Sequence, residues 1–342
     1  MASHRVRLAI LATVCVIGAG AVALSLLRAS HERVASAPPS RNGGTGAAVD
    51  ANGPVWVFEN TAAGPDYGRV GVLPADEPGG ARTLTDLRCD RVDMAGGRGV
   101  CLVNDRVAFR YSLEVFDRDL RVTHRLALAG LPSRVRVAPD GAVAAYTIFV
   151  QGDSYAADSF STRTDLVDLV RGRTLVDLER FSVYRNGRRF QAVDFNFWGV
   201  TFTADSQHFY ATLGTGSHHY LIFGDIARRR ADVVTDGVEC PALSPDGTRV
   251  AFKVRNPADS AGQVTWRLWV LDLASGRRWP LAEEVNVDDQ ANWLDGASVL
   301  YAVPNTRLNS SATNTYVVPA DGTGAPRLLI AGAWSATLTR AA

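Results

Sequence analysis

One strand–turn–strand pattern recurs six times along the chain, and it restricts the possible folds more than any other feature of the sequence. Each copy has an alternating strand, a polar turn and a second, aliphatic strand. The six copies span 69–84, 113–127, 165–178, 220–234, 268–281 and 315–330. Their turn residues lie 42, 51, 57, 47 and 48 residues apart, and they are Ala75, Asp117, Asp168, Asp225, Asp272 and Ala320. This spacing is typical of a β-propeller, in which each repeat forms a four-stranded blade.

A second strand pair lies between successive copies of the first. It has a small-residue strand, a tight turn and an aliphatic-aromatic strand, and it occurs at 92–103, 135–149, 200–213, 242–254 and 293–303. In 242–254 the turn contains Pro245-Asp246-Gly247. Proline presets φ, aspartate caps its own turn and glycine accepts a positive φ, so the triplet reverses the chain between two buried strands. Together the two hairpins supply the four strands of a blade.

The two ends of the repeat region complete each other. Val55–Glu59 is a second strand with no first strand before it, whereas Ser335–Thr339 is a first strand with no partner after it. Pairing the two would complete a sixth blade and remove an open sheet edge. The sequence therefore predicts an all-β fold, a six-bladed β-propeller over residues 53–342.

The segment Leu243-Ser244-Pro245-Asp246-Gly247-Thr248-Arg249-Val250-Ala251-Phe252 resembles the repeat of TolB-like six-bladed propellers. A weaker copy stands at 137–141, followed by Ala144-Ala145-Tyr146. The resemblance implies an extracytoplasmic, envelope-associated propeller with repeats of the WD40-like kind. TolB itself has an additional N-terminal α/β domain that docks a partner, and in this chain an apolar segment and a short linker stand in its place.

The N-terminal region is expected to anchor or export the protein. Residues 8–27 form a run of 20 uncharged residues, preceded by a basic n-region at 1–7 that we expect to be cytoplasmic. A helix of that length rises about 30 Å, enough to cross the hydrocarbon core of a membrane. A signal peptide cleaved after Ala21-Val22-Ala23 is the alternative. Residues 28–52 predict a flexible linker. The expected location is a single-pass cell-membrane protein with an extracytoplasmic propeller, or else a secreted protein.

The charge of the folded part argues against nucleic acid as a partner. The whole chain has 36 basic and 35 acidic residues, of which five basic and one acidic lie in 1–49, so that 50–342 has a formal charge of −3. A nucleic-acid-binding domain normally has a basic stripe. Membrane contact is therefore expected only through the N-terminal helix.

Polar residues at the start of the innermost strands are the candidate binding site. In a propeller these positions surround the mouth of the central channel, and here they are Arg91, Arg134, Asp194, Asn196, Trp198, Glu239, Asp288, Asp289 and Gln290. Aromatic surface mixed with hydrogen-bonding groups is typical of binding sites. The alternative is that Phe195 and Phe197 pack between blades while the acids merely solvate the channel.

The sequence leaves two functions open. The first is a non-catalytic binding or scaffold module for a protein, peptide or cell-envelope polymer. The second is an enzyme, a lyase or hydrolase acting on a small or sugar-like substrate in the channel. The first is favoured because the sequence has no recognisable catalytic constellation, metal-ligand spacing or cofactor motif, and the segment 152–156 lacks the strand–turn–helix context of a nucleophile elbow.

Cys89 and Cys101 are candidates for a disulfide. An extracytoplasmic location permits one, and 11 intervening residues across a hairpin allow the two thiols to meet. The register of that hairpin would require a bulge, so the sequence leaves both the bridged and the free state open. Cys240 is expected to be a buried free thiol.

Overall fold

The computed structural model describes residues 40–42, 53–150, 161–256, 264–305 and 312–339. The apolar segment 8–27 lies outside these ranges, as do the segment 152–156 and most of the expected linker. Within the described ranges no helix has both the length and the apolar character needed to cross a membrane.

The described residues are almost entirely β-strands. The strands of the first half are β1 (Ser40–Asn42), β2 (Val55–Asn60), β3 (Arg69–Pro74), β4 (Arg82–Arg88), β5 (Arg91–Ala95), β6 (Arg98–Asp105), β7 (Arg110–Asp117), β8 (Val122–Leu128), β9 (Leu131–Val137), β10 (Val143–Val150), β11 (Ser161–Asp168) and β12 (Arg173–Asp177). A short 3-10 helix follows (Leu178–Arg180). The second half contains β13 (Ser182–Arg185), β14 (Arg188–Arg189), β15 (Asn196–Phe202), β16 (His208–Thr215), β17 (His218–Asp225), β18 (Arg230–Asp236), β19 (Glu239–Leu243), β20 (Arg249–Arg255), β21 (Trp266–Asp272), β22 (Arg278–Pro280), β23 (Asn292–Trp293), β24 (Ser298–Pro304), β25 (Thr313–Pro319), β26 (Arg327–Ile330) and β27 (Ala333–Thr339).

These strands form six sheets, which are the six blades of a propeller. Blades 2, 3, 5 and 6 each have four strands in chain order, β5–β8, β9–β12, β19–β22 and β23–β26. Blade 1 contains β2–β4 with β27 on its inner side and β1 outside, and blade 4 contains β15–β18 with β13 and β14 added at the outer edge. The predicted all-β, six-bladed architecture is confirmed.

The ring is closed where the two ends of the propeller pair. β27 runs antiparallel to β2, with Val55 opposite Thr339 and Val57 opposite Thr337. The hydroxyl of Thr339 donates to the carbonyl of Val55 at 3.1 Å, which adds a side-chain bond to the ladder. The first blade is thereby completed by the last strand, as the sequence predicts, and its inner edge is no longer open.

In two blades a glycine faces a phenylalanine on the neighbouring strand of the same sheet. Gly99 lies directly opposite Phe116 in blade 2, and Gly224 lies opposite Phe209 in blade 4. A Cβ atom on either glycine would stand 2.0 Å or 2.2 Å from the ring of its partner. Each phenylalanine is fully buried because its ring occupies the space that a side chain on the glycine would fill.

The two ends of the ring differ in construction. The innermost strands begin at one end, the mouth face, at Arg91, Leu131, Asn196, Glu239, Asn292 and Ala333. The other end, the turn face, carries the tight turns of the repeated hairpins, which contain Asp117, Asp140, Asp168, Asp205, Asp225, Asp246, Asp272, Asp295 and Asp321. These aspartates accept backbone N–H bonds from residues two to four positions later, so each turn is capped locally.

Three features depart from the repeat. Ser40–Asn42, within the expected linker, pairs in parallel with β4, whose outer edge would otherwise offer free backbone groups. Blade 4 gains β13, which pairs in parallel with β18. The inner strand of blade 6, β23, has only two residues and pairs with β24 at Asn292 and Trp293.

Candidate functional site

The segment 281–291, which links blade 5 to blade 6, crosses the mouth of the central channel. The side-chain amide of Gln290 donates to the carbonyls of Val200 in blade 4 and Pro241 in blade 5, each at 3.0 Å. The carbonyl of Ala291 accepts from Nη2 of Arg136 in blade 3 at 2.9 Å. The segment is therefore held by the inner strands of three different blades.

Two consecutive aspartates extend this anchorage. Asp289 accepts a 2.8 Å bond from the indole nitrogen of Trp334, on the closing strand β27. Asp288 accepts a 2.6 Å bond from the buried ammonium of Lys253, and its carbonyl lies 3.4 Å from Nη2 of Arg134. Burial acts to raise the pKa of Asp288, but Lys253 and Arg134 outweigh it and lower that pKa, so the carboxylate stays ionised.

Only a small space remains in the channel beneath this segment. Because β23 is so short, the second strand of blade 6 reaches the channel and contributes Tyr301 to its wall. The cavity is about 40 Å³, room for about three water molecules. Its lining includes Arg91, Asp93, Arg134, Arg136, Asp289, Gln290, Asn292, Tyr301 and Ser335.

Three arginines dominate the polar wall of this cavity. The guanidinium of Arg91 lies over the ring of Trp334, 3.5 Å from its centroid, and its Nε donates to the carbonyl of Ser133 at 3.0 Å. Arg134 donates to the same carbonyl oxygen at 3.1 Å. Arg136 follows two residues later on β9, and alternation along a strand turns it to the same side as Arg134.

A protonated carboxyl group lies beside this cluster. Glu59, at the end of β2, is 3% exposed, and its Oε2 has no hydrogen-bond partner among the described residues. Burial raises the pKa of Glu59 to about 8; Arg91 opposes this rise, while Asp90 and Asp289 add to it. Glu59 is therefore mostly neutral at pH 7.

The structure places four of the nine expected site residues around the central cavity: Arg91, Arg134, Asp289 and Gln290. A fifth, Asp288, is joined to them through Arg134 and also binds Lys253. The remaining four lie near the seams between blades 3, 4 and 5.

Two of those four have structural partners in blades 3 and 4. Asp194 accepts from the hydroxyl of Thr215 and the backbone N–H of Gly216, each at 2.6 Å, and these bonds lower its pKa. Asn196 accepts the backbone N–H of Thr162 at 2.8 Å, which joins blade 4 to blade 3. Because both side chains are engaged in these local bonds, they contribute to the wall of the mouth rather than to the central cavity.

The other two meet around one histidine. Nδ1 of His219 lies 3.1 Å from Oε1 of Glu239, and the imidazole ring packs edge-on against Trp198 with centroids 5.4 Å apart. Burial acts to raise the pKa of Glu239, but the hydrogen bond and charge of His219 lower it overall. This group joins blade 4 to blade 5. In the part of the chain that the structure describes, no three His, Cys, Asp or Glu side chains are arranged to hold a metal ion.

Sequence reasoning missed four residues of the central cluster: Glu59, Arg136, Lys253 and Trp334. A usable signal existed for Arg136, because it stands two positions after Arg134 on a predicted inner strand and so shares its face. Trp334 was missed because the closing strand begins at Ala333, earlier than the expected Ser335. Glu59 and Lys253 lie on second strands, and only the packed ring brings them to the channel.

A hairpin on the mouth face of blade 2 exposes two apolar side chains. Val107 and Phe109, between β6 and β7, are 91% and 86% exposed. The carboxylate of Asp105 accepts the backbone N–H groups of Val107 and Ala108 at 3.0 Å and 2.9 Å, which fixes the turn. Phe109 has a φ of 52°, an uncommon left-handed conformation for an aromatic residue.

Cys89 and Cys101 form a disulfide in the structure, and Cys240 is a buried free thiol. The bridge ties the link between blades 1 and 2 to β6. Cys101 lies opposite Val92 rather than opposite Cys89, because Cys89 precedes the inner strand β5. The bridge therefore connects a strand to a linking segment, and the bulge expected from the sequence is not needed.

The arrangement defines a six-bladed propeller whose channel is crossed by one of its own links. Neither a known protein family nor a curated protein matches the sequence. The fold is similar to that of TolB from Acinetobacter baumannii, with 15% sequence identity, a TM-score of 0.57, and coverage of 85% of this chain and 68% of that one. A TolB-like propeller fold is thereby established.

Two other solved structures share the architecture. A chain of the nidogen/laminin complex is 11% identical, with a TM-score of 0.54 and coverage of 84% of this chain and 98% of that one. Hydrazine synthase from Kuenenia stuttgartiensis is 15% identical, with a TM-score of 0.50 and coverage of 83% and 77%. These similarities concern the fold, which hosts different activities.

Proposed function

We propose that this protein is an extracytoplasmic, membrane-tethered propeller that binds a protein partner through its mouth face and does no chemistry in its channel. The observation that carries the proposal is the segment 281–291, which crosses the channel and leaves a cavity of about 40 Å³. Small-molecule sites usually measure roughly 300–1,000 Å³. A sugar-like substrate would therefore have to displace Gln290 and Asp289 from bonds to three blades.

The blade 2 hairpin is the element of the mouth face best suited to a partner. Two nearly fully exposed apolar side chains, Val107 and Phe109, are held in a turn that Asp105 fixes before any partner arrives. A rigid aromatic side chain loses little entropy on binding and is a frequent anchor of protein interfaces. Arg106 and Arg110 flank the pair, so a partner with an apolar pocket bordered by acidic groups would fit.

The membrane tether is supported by the uncharged run at 8–27, and the pairing of β1 indicates which face of the propeller it would approach. β1 pairs with the beginning of β4, where Ser40 lies opposite Arg82. This end of β4 is the one nearest the turn face. An anchor preceding β1 would therefore approach from the turn face. The mouth face would then point away from the membrane and be free to meet a partner, as would be expected of a TolB-like propeller in the cell envelope.

Photocrosslinking in intact cells tests the binding proposal. A photoreactive phenylalanine analogue replaces Phe109 in the full-length protein, and the matched control replaces Val170, which is 52% exposed on the turn face. We expect a discrete crosslinked partner from position 109 and none from position 170. With that partner purified, Phe109→Ala should weaken binding by about 10- to 30-fold. Equal crosslinking at both positions, or unchanged affinity in Phe109→Ala, would contradict the proposal.

The tether needs its own measurement. Alkaline carbonate extraction of membranes should leave the full-length protein in the pellet, and its intact mass should include residues 8–27. A mature protein that starts after Ala23 and is released to the soluble fraction would contradict tethering while leaving the mouth-face proposal standing.

A further inference from the structure

We propose that the central cavity is a binding site for one small monovalent inorganic anion, held by Arg91, Arg134 and Arg136. This site is independent of the mouth-face partner. It follows from the way three cationic side chains from two neighbouring blades line one small space.

Two like charges crowd around one oxygen atom in the wall of the cavity. Nε of Arg91 and Nη1 of Arg134 donate to one oxygen, the carbonyl of Ser133, at 3.0 Å and 3.1 Å. A neutral carbonyl satisfies hydrogen bonds but does not neutralise two guanidinium charges. Asp289 attracts both guanidinium groups and Asp288 attracts Arg134, and an anion in the cavity would add to this compensation.

Two buried hydrogen-bond donors in the cavity wall have no acceptor among the described residues. The Nε atoms of Arg134 and Arg136 are both buried, and neither has an acceptor among the described residues. Nη2 of Arg136 donates to the carbonyl of Ala291 at 2.9 Å. Both residues line the cavity. An anion there could accept from these Nε groups, because guanidinium groups are suited to binding small anions.

Ion pairs compensate only part of the positive charge around the cavity. Of the three arginines, Arg134 alone forms an ion pair with a described residue, at 3.7 Å from Asp288, and Asp288 is itself held by Lys253 at 2.6 Å.

Two carboxylates line the cavity, and both have other donors. Asp93 accepts the backbone N–H of Val137 at 2.7 Å, and Asp289 accepts the indole N–H of Trp334 at 2.8 Å. Glu59 lies beside Arg91 and is mostly protonated at neutral pH. Three cations against two lining carboxylates leave an excess of one positive charge. This excess matches a monovalent anion.

The size of the space sets a further limit. A cavity of about 40 Å³ holds about three waters. Chloride or nitrate fits such a volume, whereas an organic acid the size of gluconate does not. The site is therefore expected to distinguish anions by size as well as by charge.

Chloride-35 NMR on the full-length protein tests the site directly. The linewidth of chloride increases when it exchanges with a protein-bound state. We expect wild-type protein to broaden the signal, nitrate to reverse the broadening, and gluconate at the same ionic strength to leave it unchanged. In Arg136→Met the excess broadening should fall at least fivefold. Arg118→Met, which removes an exposed arginine on the turn face, should leave it unchanged.

A second variant and a second readout cover the case in which Arg136→Met fails to fold. Arg136→Lys retains the charge and should keep measurable, nitrate-sensitive broadening. The wild-type melting temperature should also be higher in sodium chloride than in sodium gluconate, since a ligand that binds the folded state stabilises it. Either of two results would overturn the proposal. In the first, gluconate reduces the broadening as effectively as nitrate. In the second, Arg136→Met and Arg118→Met broaden the chloride signal equally.

Discussion

Two sets of carboxyl groups in this propeller respond to folding in opposite ways. On the turn face, Asp246 accepts bonds from Ser244, from the backbone of Thr248 and from its hydroxyl, and these bonds lower its pKa to about 2. Near the channel, burial raises the pKa of Glu59 to about 8 and raises the pKa of Asp90 as well. The same chemical group is thus stabilised as an anion in this turn and as a neutral acid at Glu59, where burial outweighs the neighbouring cation; at Asp288 the neighbouring cations outweigh burial.

The difference reflects how the two regions are encoded. A turn aspartate finds its donors within its own turn, so each copy of the repeat that has one supplies its own cap. Glu59, on blade 1, is instead surrounded by Arg91 of blade 2 and Asp289 of the link to blade 6, so no single repeat determines its environment. The environment of a turn-face aspartate is therefore determined within one repeat. The environment of an acid near the channel is determined by how the blades pack into a ring.

The largest expected effect concerns Glu59 and the pH dependence of stability. The pKa of Glu59 rises from 4.5 in the unfolded chain to about 8 in the folded protein. Its contribution to the free energy of unfolding is therefore fully present below pH 4.5 and is lost as the pH rises from 4.5 to about 8. Glu59→Gln cannot ionise. Its stability relative to wild type should grow by on the order of 4 kcal/mol between pH 4 and pH 9, measured by urea denaturation.

The matched control for that experiment is Glu77→Gln, an exposed glutamate on the turn face. It should keep the pH dependence of the wild type, because Glu59 is unchanged. If the stability of both Glu59→Gln and Glu77→Gln changes with pH as that of the wild type does, a buried and neutral Glu59 is excluded.

An intermediate effect is expected for the disulfide near the mouth face. Replacing Cys89 and Cys101 by alanine opens a loop with a sequence separation of 12 residues. In the chain-entropy view this lowers the free energy of unfolding by about 2–3 kcal/mol. Adding reductant to the wild type should give a similar loss. A reductant effect that persists in the double variant would show that something other than this bridge is responsible.

The smallest effect is expected at a turn aspartate. Asp246→Ala should lower the free energy of unfolding by about 1 kcal/mol, because the local caps of one exposed turn are lost while the blades remain packed. The lowered pKa means that this stability is present above pH 3.8 and is lost as pH falls through about 2. Asp246→Asn keeps an acceptor and should recover part of the loss. A larger loss than that caused by removing the disulfide would break the contrast between the faces.

The sequence predicted the parts of the fold that local chemistry determines. Pro245-Asp246-Gly247 forms its expected turn, and the expected strand at 55–59 pairs with the closing strand. These elements could be found because hairpin spacing, turn residues and a missing partner strand are all visible along one chain.

The rest depends on contacts between blades. The segment 281–291 has no strand pattern, and its path across the channel is set by Gln290 and Asp289 reaching carbonyls and an indole in other blades. The expected site residues Asp194 and Asn196 were assigned to the channel by position alone, yet hydrogen bonds to Thr215 and Thr162 engage them at the blade seams. Sequence position gives the face of a propeller, but packing decides which side chains meet.

The contrast between the faces can be tested most directly by a carbon-13 NMR titration of protein labelled at the glutamate and aspartate carboxyl groups. We predict one glutamate signal that titrates near pH 8 and disappears in Glu59→Gln, together with an aspartate signal that titrates near pH 2 and disappears in Asp246→Asn. If every glutamate titrates below pH 5 in the folded protein, the electrostatic difference between the channel and the turn face does not exist.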